Sequence, residues 1–191
     1  MEMDPSDPSF IYVSTRDSGM LFSRDSGASW QQPEDPSLKA GSIFDVEVDA
    51  NNVCTVYVVK ANRLLKTTDC MRTFNNEMYV DSRPGVNVIR VTVDWYNSNV
   101  VWIGLSNGDL MKSADGGKTW KSVLKAREEI SEIMISNSDS RQVLVSTFNG
   151  NLYRTIDSGD KWEDLKSGLS TYSSPKGIFT IIQDQKSKII F

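Results

Sequence analysis

The octapeptide SADGGKTW, at 113–120, places Ser113, Asp115 and Thr119 around two glycines. Such side chains suit two kinds of chemistry. A carboxylate beside a hydroxyl can do nucleophilic or acid–base work, and a set of oxygens can coordinate a cation. The chain has no histidine. That excludes Ser-His-Asp and Cys-His catalysis and most zinc sites. An enzyme would have to rest on carboxylates, Tyr, Lys, Arg or an unaided hydroxyl. The octapeptide also lacks the oxygen-ligand spacing of an EF-hand loop. No metal and no cofactor is expected.

The octapeptide is one of four. SRDSGASW at 23–30, TTDCMRTF at 67–74 and TIDSGDKW at 155–162 share its pattern: Ser/Thr-x-Asp, then mostly x-Gly, then a terminal aromatic. The aspartates are Asp25, Asp69, Asp115 and Asp157, at separations of 44, 46 and 42 residues. A period near 40–45 suits a four-stranded propeller blade.

The rest of each period agrees. Before the third octapeptide, 88–93 (VIRVTV) alternates as a strand and 100–104 (VVWIG) reads as a buried one. Gly108 supplies a hairpin turn between that strand and 109–112, and 120–124 reads as the fourth strand. The same order recurs at 44–48, 55–59 and 63–66, and at 130–135, 143–146 and 151–154. No segment has a convincing helical period. The expected fold is all-β, a propeller of four-stranded antiparallel blades, with repeats near 1–42, 43–86, 87–128 and 129–172, and 173–191 starting or closing a further blade.

These octapeptides resemble the Asp-box of the Asp-box (BNR-repeat) β-propellers, whose members include sialidases, xyloglucan-cleaving glycosidases, sortilin-type receptors and photosystem II assembly-factor-like proteins. TTDCMRTF, and SADGGKTW beside VVWIGLSNGDLMKS, carry a similarity to the assembly-factor-like group. The resemblance covers nearly the whole chain and implies that each box clasps the hairpin between the third and outermost strands. Ser23, Thr67, Ser113 and Thr155 would close the turn. The four aspartates would accept its N–H groups, and Gly27, Gly117 and Gly159 would take positive φ. Trp30, Phe74, Trp120 and Trp162 would pack beside neighbouring strands, and Thr119 completes the third box. On this reading SADGGKTW is a turn clasp, not a catalytic loop.

Met71 stands where the other boxes have glycine. A methionine at positive φ is strained, so this turn should differ in shape or be held by something else. Cys54 and Cys70 lie nearly opposite one another across the strand pair, within disulfide reach. The alternative is two reduced thiols. A disulfide would point outside the cytoplasm.

The chain reads as beginning at a second strand, 10–13, and ending after a first strand, 178–182, with 188–191 as the next second strand. Either that last strand closes a small ring of four blades, or the chain is an arc of a larger propeller; the arc is favoured. An arc would tend to self-associate through open blade edges.

Catalytic residues are not assigned. Most glycosidases need two carboxylates flanking the bond. The Arg-Ile-Pro signature of sialidases is absent, with Ser82-Arg83-Pro84 only an accidental likeness, and no Asp pair of xyloglucanase type stands out. On the face opposite the boxes, Tyr79, Asp81 and Arg83, with Arg127, are the best candidates for ligand binding. The ordinary reading is a solvated loop. Trp95 and Tyr96 form an exposed-looking pair on the box side. The net charge is −4 and basic residues are scattered, so nucleic-acid binding is not expected. No apolar run is long enough to span a membrane.

The function expected is a non-catalytic binding or scaffolding module of a secreted or cell-surface protein, recognising a protein or a glycan. Alternatives are a truncated glycoside hydrolase of sialidase or xyloglucanase type, and a purely structural repeat.

Overall fold

A computed structural model describes residues 1–74, 76–165, 181 and 183 of the chain. Every sheet in it is antiparallel. The first blade comprises β1 (Glu2–Met3), β2 (Ile11–Ser14) and β3 (Met20–Ser23). The second comprises β4 (Asp45–Val48), β5 (Val56–Lys60), β6 (Arg63–Thr67) and β7 (Asn76–Val80). The third comprises β8 (Val88–Val93), β9 (Val101–Leu105), β10 (Asp109–Ser113) and β11 (Lys121–Lys125). The fourth comprises β12 (Ile130–Ile135), β13 (Val143–Thr147), β14 (Leu152–Thr155) and β15 (Glu163–Asp164). The one helical element among the described residues is a 3-10 turn at Pro36–Leu38. The fold is the all-β propeller architecture expected.

Three apolar cores lie at the seams between consecutive blades, because each strand buries alternate residues on alternate faces. Val46, Val48, Val56 and Val58 face the first blade, where Tyr12, Met20 and Phe22 meet them. Tyr57, Val59 and Leu64 face Val91, Val93, Val101 and Ile103. Trp102 and Leu110 face Ile133, Ile135, Val143 and Val145. The second and third blades are therefore held from both sides, and a box hairpin reaches across each seam at its rim.

Two expectations are corrected, and of the two alternatives open for the second box the structure takes one. The chain does not begin at a second strand. Glu2–Met3 pairs with Ile11–Tyr12 as a short first strand, and the DPSDPS segment turns between them because Asp4 Oδ1 accepts the N–H groups of Ser6 and Asp7. The box-two turn does not change shape. Cys70 and Met71 have φ of 55° and 70°, in line with Ser26 and Gly27 at 58° and 87°. The device holding it is the Cys54–Cys70 disulfide, with Cα atoms 4.1 Å apart. Finally, Trp30 is 44% exposed. Box aromatics pack on the preceding blade, and none precedes the first in the described chain. The fourth-strand position there is a single bridge, Phe22 to Gln31. The strands expected at 178–182 and 188–191 lie outside the described residues except for Ile181, which is buried.

Candidate binding sites

Each box is built by one carboxylate. Asp115 Oδ1 accepts the Thr119 N–H at 2.9 Å and the Ser113 hydroxyl at 2.9 Å, while Oδ2 accepts the Thr119 hydroxyl at 2.6 Å. The Ser113 oxygen in turn accepts the Gly117 N–H at 2.8 Å. Asp25 repeats this with Ser29, Ser23 and Gly27. Asp69 repeats the carboxylate part with Thr73 and Thr67. Asp157 accepts from Thr155 and the Lys161 N–H, and Gly159 donates to Thr155. The hydroxyl and N–H of residue 29 hold Asp25 down at about 2, and those of Thr119 do the same for Asp115. At Asp69 burial pushes upward, but the Thr73 and Thr67 bonds outweigh it and the carboxyl also falls to about 2. A carboxylate whose lone pairs are filled by its own turn is a poor base and a poor proton donor. Among the described residues no group of three or more His, Cys, Asp or Glu is placed to hold a metal ion.

On the opposite face, Tyr79, Asp81 and Arg83 do come together. Arg83 donates Nε to Asp81 Oδ1 at 3.0 Å and Nη2 to Oδ2 at 2.6 Å, and its Nη1 donates to Asp109 on the next blade. The Tyr79 hydroxyl donates to Asp81 Oδ2 at 2.8 Å, and Asn107 donates to Asp109. Tyr79, Asp81, Arg83 and Asp109 line a shallow cleft of about 310 Å³ with Met111, Ser122 and Lys125. The Arg83 bonds hold Asp81 at about 2 despite its burial. The cleft thus presents a closed network, with its guanidinium already shared by two carboxylates. Arg127 is exposed at φ 62° and does not line that cleft. Glu128, beside it, accepts from Thr147 and Asn151.

A second cluster lies along the inner strands and was not read from sequence. Glu2 pairs with Tyr12, Glu47 with Tyr57 and Thr92 with Trp102, so these three occupy one level of the channel between the blades. Asp45, Arg90 and Glu132 occupy the next. Burial raises Asp45 to about 6 and Glu132 to about 7, against the pull of Arg90, and lifts Glu47 well above its ordinary value. Two of these groups have a structural role. Asp45 Oδ2 accepts the Val91 N–H at 3.0 Å and Glu47 Oε1 the Val93 N–H at 3.4 Å, satisfying the free edge of β8. The alternation in DVEV, RVTV and EIMI was the available signal, but which blade faces it is a tertiary fact.

The box-side mouth of this channel is a cavity of about 300 Å³ lined by Glu2, Met3, Glu47, Trp95, Met134 and Asn137, among others. Trp95 is 46% and Tyr96 67% exposed. Asn51 donates to the Trp95 carbonyl, and the Tyr96 hydroxyl donates to the Asn137 carbonyl. The pair is therefore positioned by both neighbouring blades while its rings face solvent.

Radially stacked antiparallel blades, each closed by a Ser/Thr-x-Asp clasp, define an Asp-box β-propeller. Residues 35–170 match the family described as Photosynthesis system II assembly factor YCF48, and the chain belongs to that family. Among curated proteins nothing matches it. Among solved structures it is similar to the GH74 xyloglucanase from Xanthomonas campestris, at TM-score 0.71 and 17% identity over 95% of this chain and 33% of that one. It is also similar to YCF48 from Cyanidioschyzon merolae, at 0.63 and 15%, over 85% of this chain and 54% of that one. A third is YCF48 bound to D1 peptide, at 0.53 and 18%, over 82% and 43%. At these identities the likeness concerns the fold. The chain spans a third of the xyloglucanase and about half of the Cyanidioschyzon protein.

Proposed function

We propose that the chain is a non-catalytic, protein-binding propeller module that works outside the cytoplasm. The observation that carries this reading is the Trp95–Tyr96 pair, held by Asn51 and Asn137 with both rings exposed beside a cavity. Exposed aromatics on a rigid frame are the usual anchors of protein interfaces. Membership of a family named for an assembly factor supports it, as does the fold relative solved with a bound peptide. The disulfide supports an oxidising compartment. Against glycosidase action, Asp81 and Asp109 share Arg83 and both stay below the usual carboxylate range. Neither then carries a proton to donate at neutral pH.

The test is selection of binders from a displayed random-peptide library on the immobilised chain, repeated with Trp95→Ala/Tyr96→Ala. Enriched peptides whose affinity falls about tenfold or more in the variant support the reading. Absence of enrichment, or binding indifferent to the variant, overturns it. Release of reducing ends from xyloglucan or a sialoside, abolished by Asp81→Asn or Glu132→Gln, would favour the hydrolase alternative.

A further inference from the structure

The four boxes provide an internal comparison. In each, the fourth residue is left-handed and donates its N–H to a carbonyl in the loop entering the second strand. The bonds are Ser26 to Ser9 at 3.0 Å, Cys70 to Cys54 at 3.1 Å, Gly116 to Asn99 at 2.9 Å and Ser158 to Arg141 at 2.9 Å. Three blades hold this junction by that hydrogen bond and place a glycine next. Only the second adds a covalent bond between the same two residues, and there the next residue is methionine.

The glycine is needed where a neighbour fills its space. A Cβ on Gly159 would come within 2.9 Å of Trp102 on the preceding blade, and one on Gly117 within 2.2 Å of Met78. At the first seam the direction is reversed. Met71, 1% exposed, is itself the knob, packed in the core that holds Tyr12 and Phe22 of the first blade. Both cysteines also touch that blade. The Cys54 N–H donates to Asp4 Oδ2 at 3.4 Å, and Arg24 Nη2 donates to the Cys70 carbonyl at 3.0 Å.

From this we infer that Cys54–Cys70 is a redox-controlled latch on the seam between the first and second blades. Oxidised, it holds Met71 left-handed, against the preference of a Cβ-bearing residue at a position the other boxes give to glycine, and so keeps it docked. Reduction is thiol–disulfide exchange with a dithiol. Its thiolate attacks the sulfur of one cysteine, the S–S bond breaks and releases the other cysteine, and its second thiol then displaces the first cysteine from the mixed disulfide. Two electrons and two protons pass to the cysteines while the dithiol closes to its own disulfide. Without the bond, the turn relaxes toward negative φ, Met71 leaves the seam, and the Arg24 contact goes with it. The other two seams, built on glycine, do not depend on the redox state.

The test is amide hydrogen exchange on the full chain, oxidised and after incubation with dithiothreitol. Expected on reduction is exchange faster by about tenfold or more at 67–74 and 22–26, with 113–120 and 155–162 unchanged. In Met71→Gly, residues 67–74 should stay equally protected in both states, since glycine takes the left-handed turn unaided. A Cys54→Ser/Cys70→Ser chain should match the reduced wild type, which decides the matter if Met71→Gly does not fold. Unchanged protection at 67–74 on reduction overturns the latch. So does simultaneous loss of protection in all four boxes, which would make the disulfide a global staple.

Discussion

Arg83 and Asp109 belong to different blades and are joined by an ion pair, while the same guanidinium holds Asp81 two residues away. One side chain thereby fixes the link leaving the second blade onto the hairpin of the third. Arg83→Ala takes from two facing carboxylates the cation they share and leaves Lys125 as the cation acting on Asp109. Solvent reaches 45% of the Arg83 side chain, so the loss should fall short of a buried pair, about 1–2 kcal/mol in a denaturant titration. Arg83→Lys should recover part of it, since an ammonium cannot bind both carboxylates in fork geometry. A variant as stable as the wild type would make the network decorative.

The boxes predict acid sensitivity. Asp25, Asp69, Asp115 and Asp81 have folded values near 2, below that of an unfolded aspartate. A depressed carboxylate stabilises fully above about pH 4 and loses that contribution as pH falls toward 2. Thermal scans should therefore show a steep drop in Tm over that window. Ser113→Ala removes a hydroxyl that both donates to Asp115 and accepts from Gly117, and should cost about 1–2 kcal/mol at neutral pH.

The channel acts in the opposite direction. Asp45 and Glu132 sit at about 6 and about 7, with Glu2 and Glu47 also raised and Arg90 the cation between them. A raised carboxyl makes the folded state bind more protons than the unfolded one between about pH 4 and 7, so stability declines as pH rises through that range. Together with the boxes this places the stability maximum at mildly acidic pH. Glu132→Gln should flatten the decline above about pH 5. A profile that climbs steadily to neutrality in the wild type would contradict the channel assignment.

Gly159 has φ 95° and no room for a methyl group beside Trp102. Gly159→Ala should destabilise by about 1–3 kcal/mol through backbone strain and overpacking of the last seam. The change should be visible as a quench or shift of tryptophan emission before global unfolding. Equal urea midpoints for variant and parent would refute it.

Much of this architecture was legible because it repeats. VIRVTV and ISEIMI were readable as strands to the residue, since alternation in a half-buried sheet has period two. The boxes were legible because a Ser/Thr-x-Asp turn is stabilised by bonds within five or seven neighbouring residues. The β1 strand was missed because two residues carry no periodicity. Arg83 was singled out, but its partner Asp109 lies 26 positions away, and only blade stacking chooses that pairing. The channel carboxylates were missed for a related reason: on one strand they are polar positions facing outward.

The sequence by itself determined the strand order, the blade period and the four clasps, all consequences of local geometry and alternating burial. The tertiary structure decided which polar residues face solvent, which face a neighbouring blade and which line the channel. It also decided that Met71, the one box residue that departs from glycine, fills a seam. The physical reason is that seams are made by side chains far apart in the chain, such as Tyr12 with Val46 or Trp102 with Ile133, whose meeting depends on how blades twist and pack rather than on any local preference.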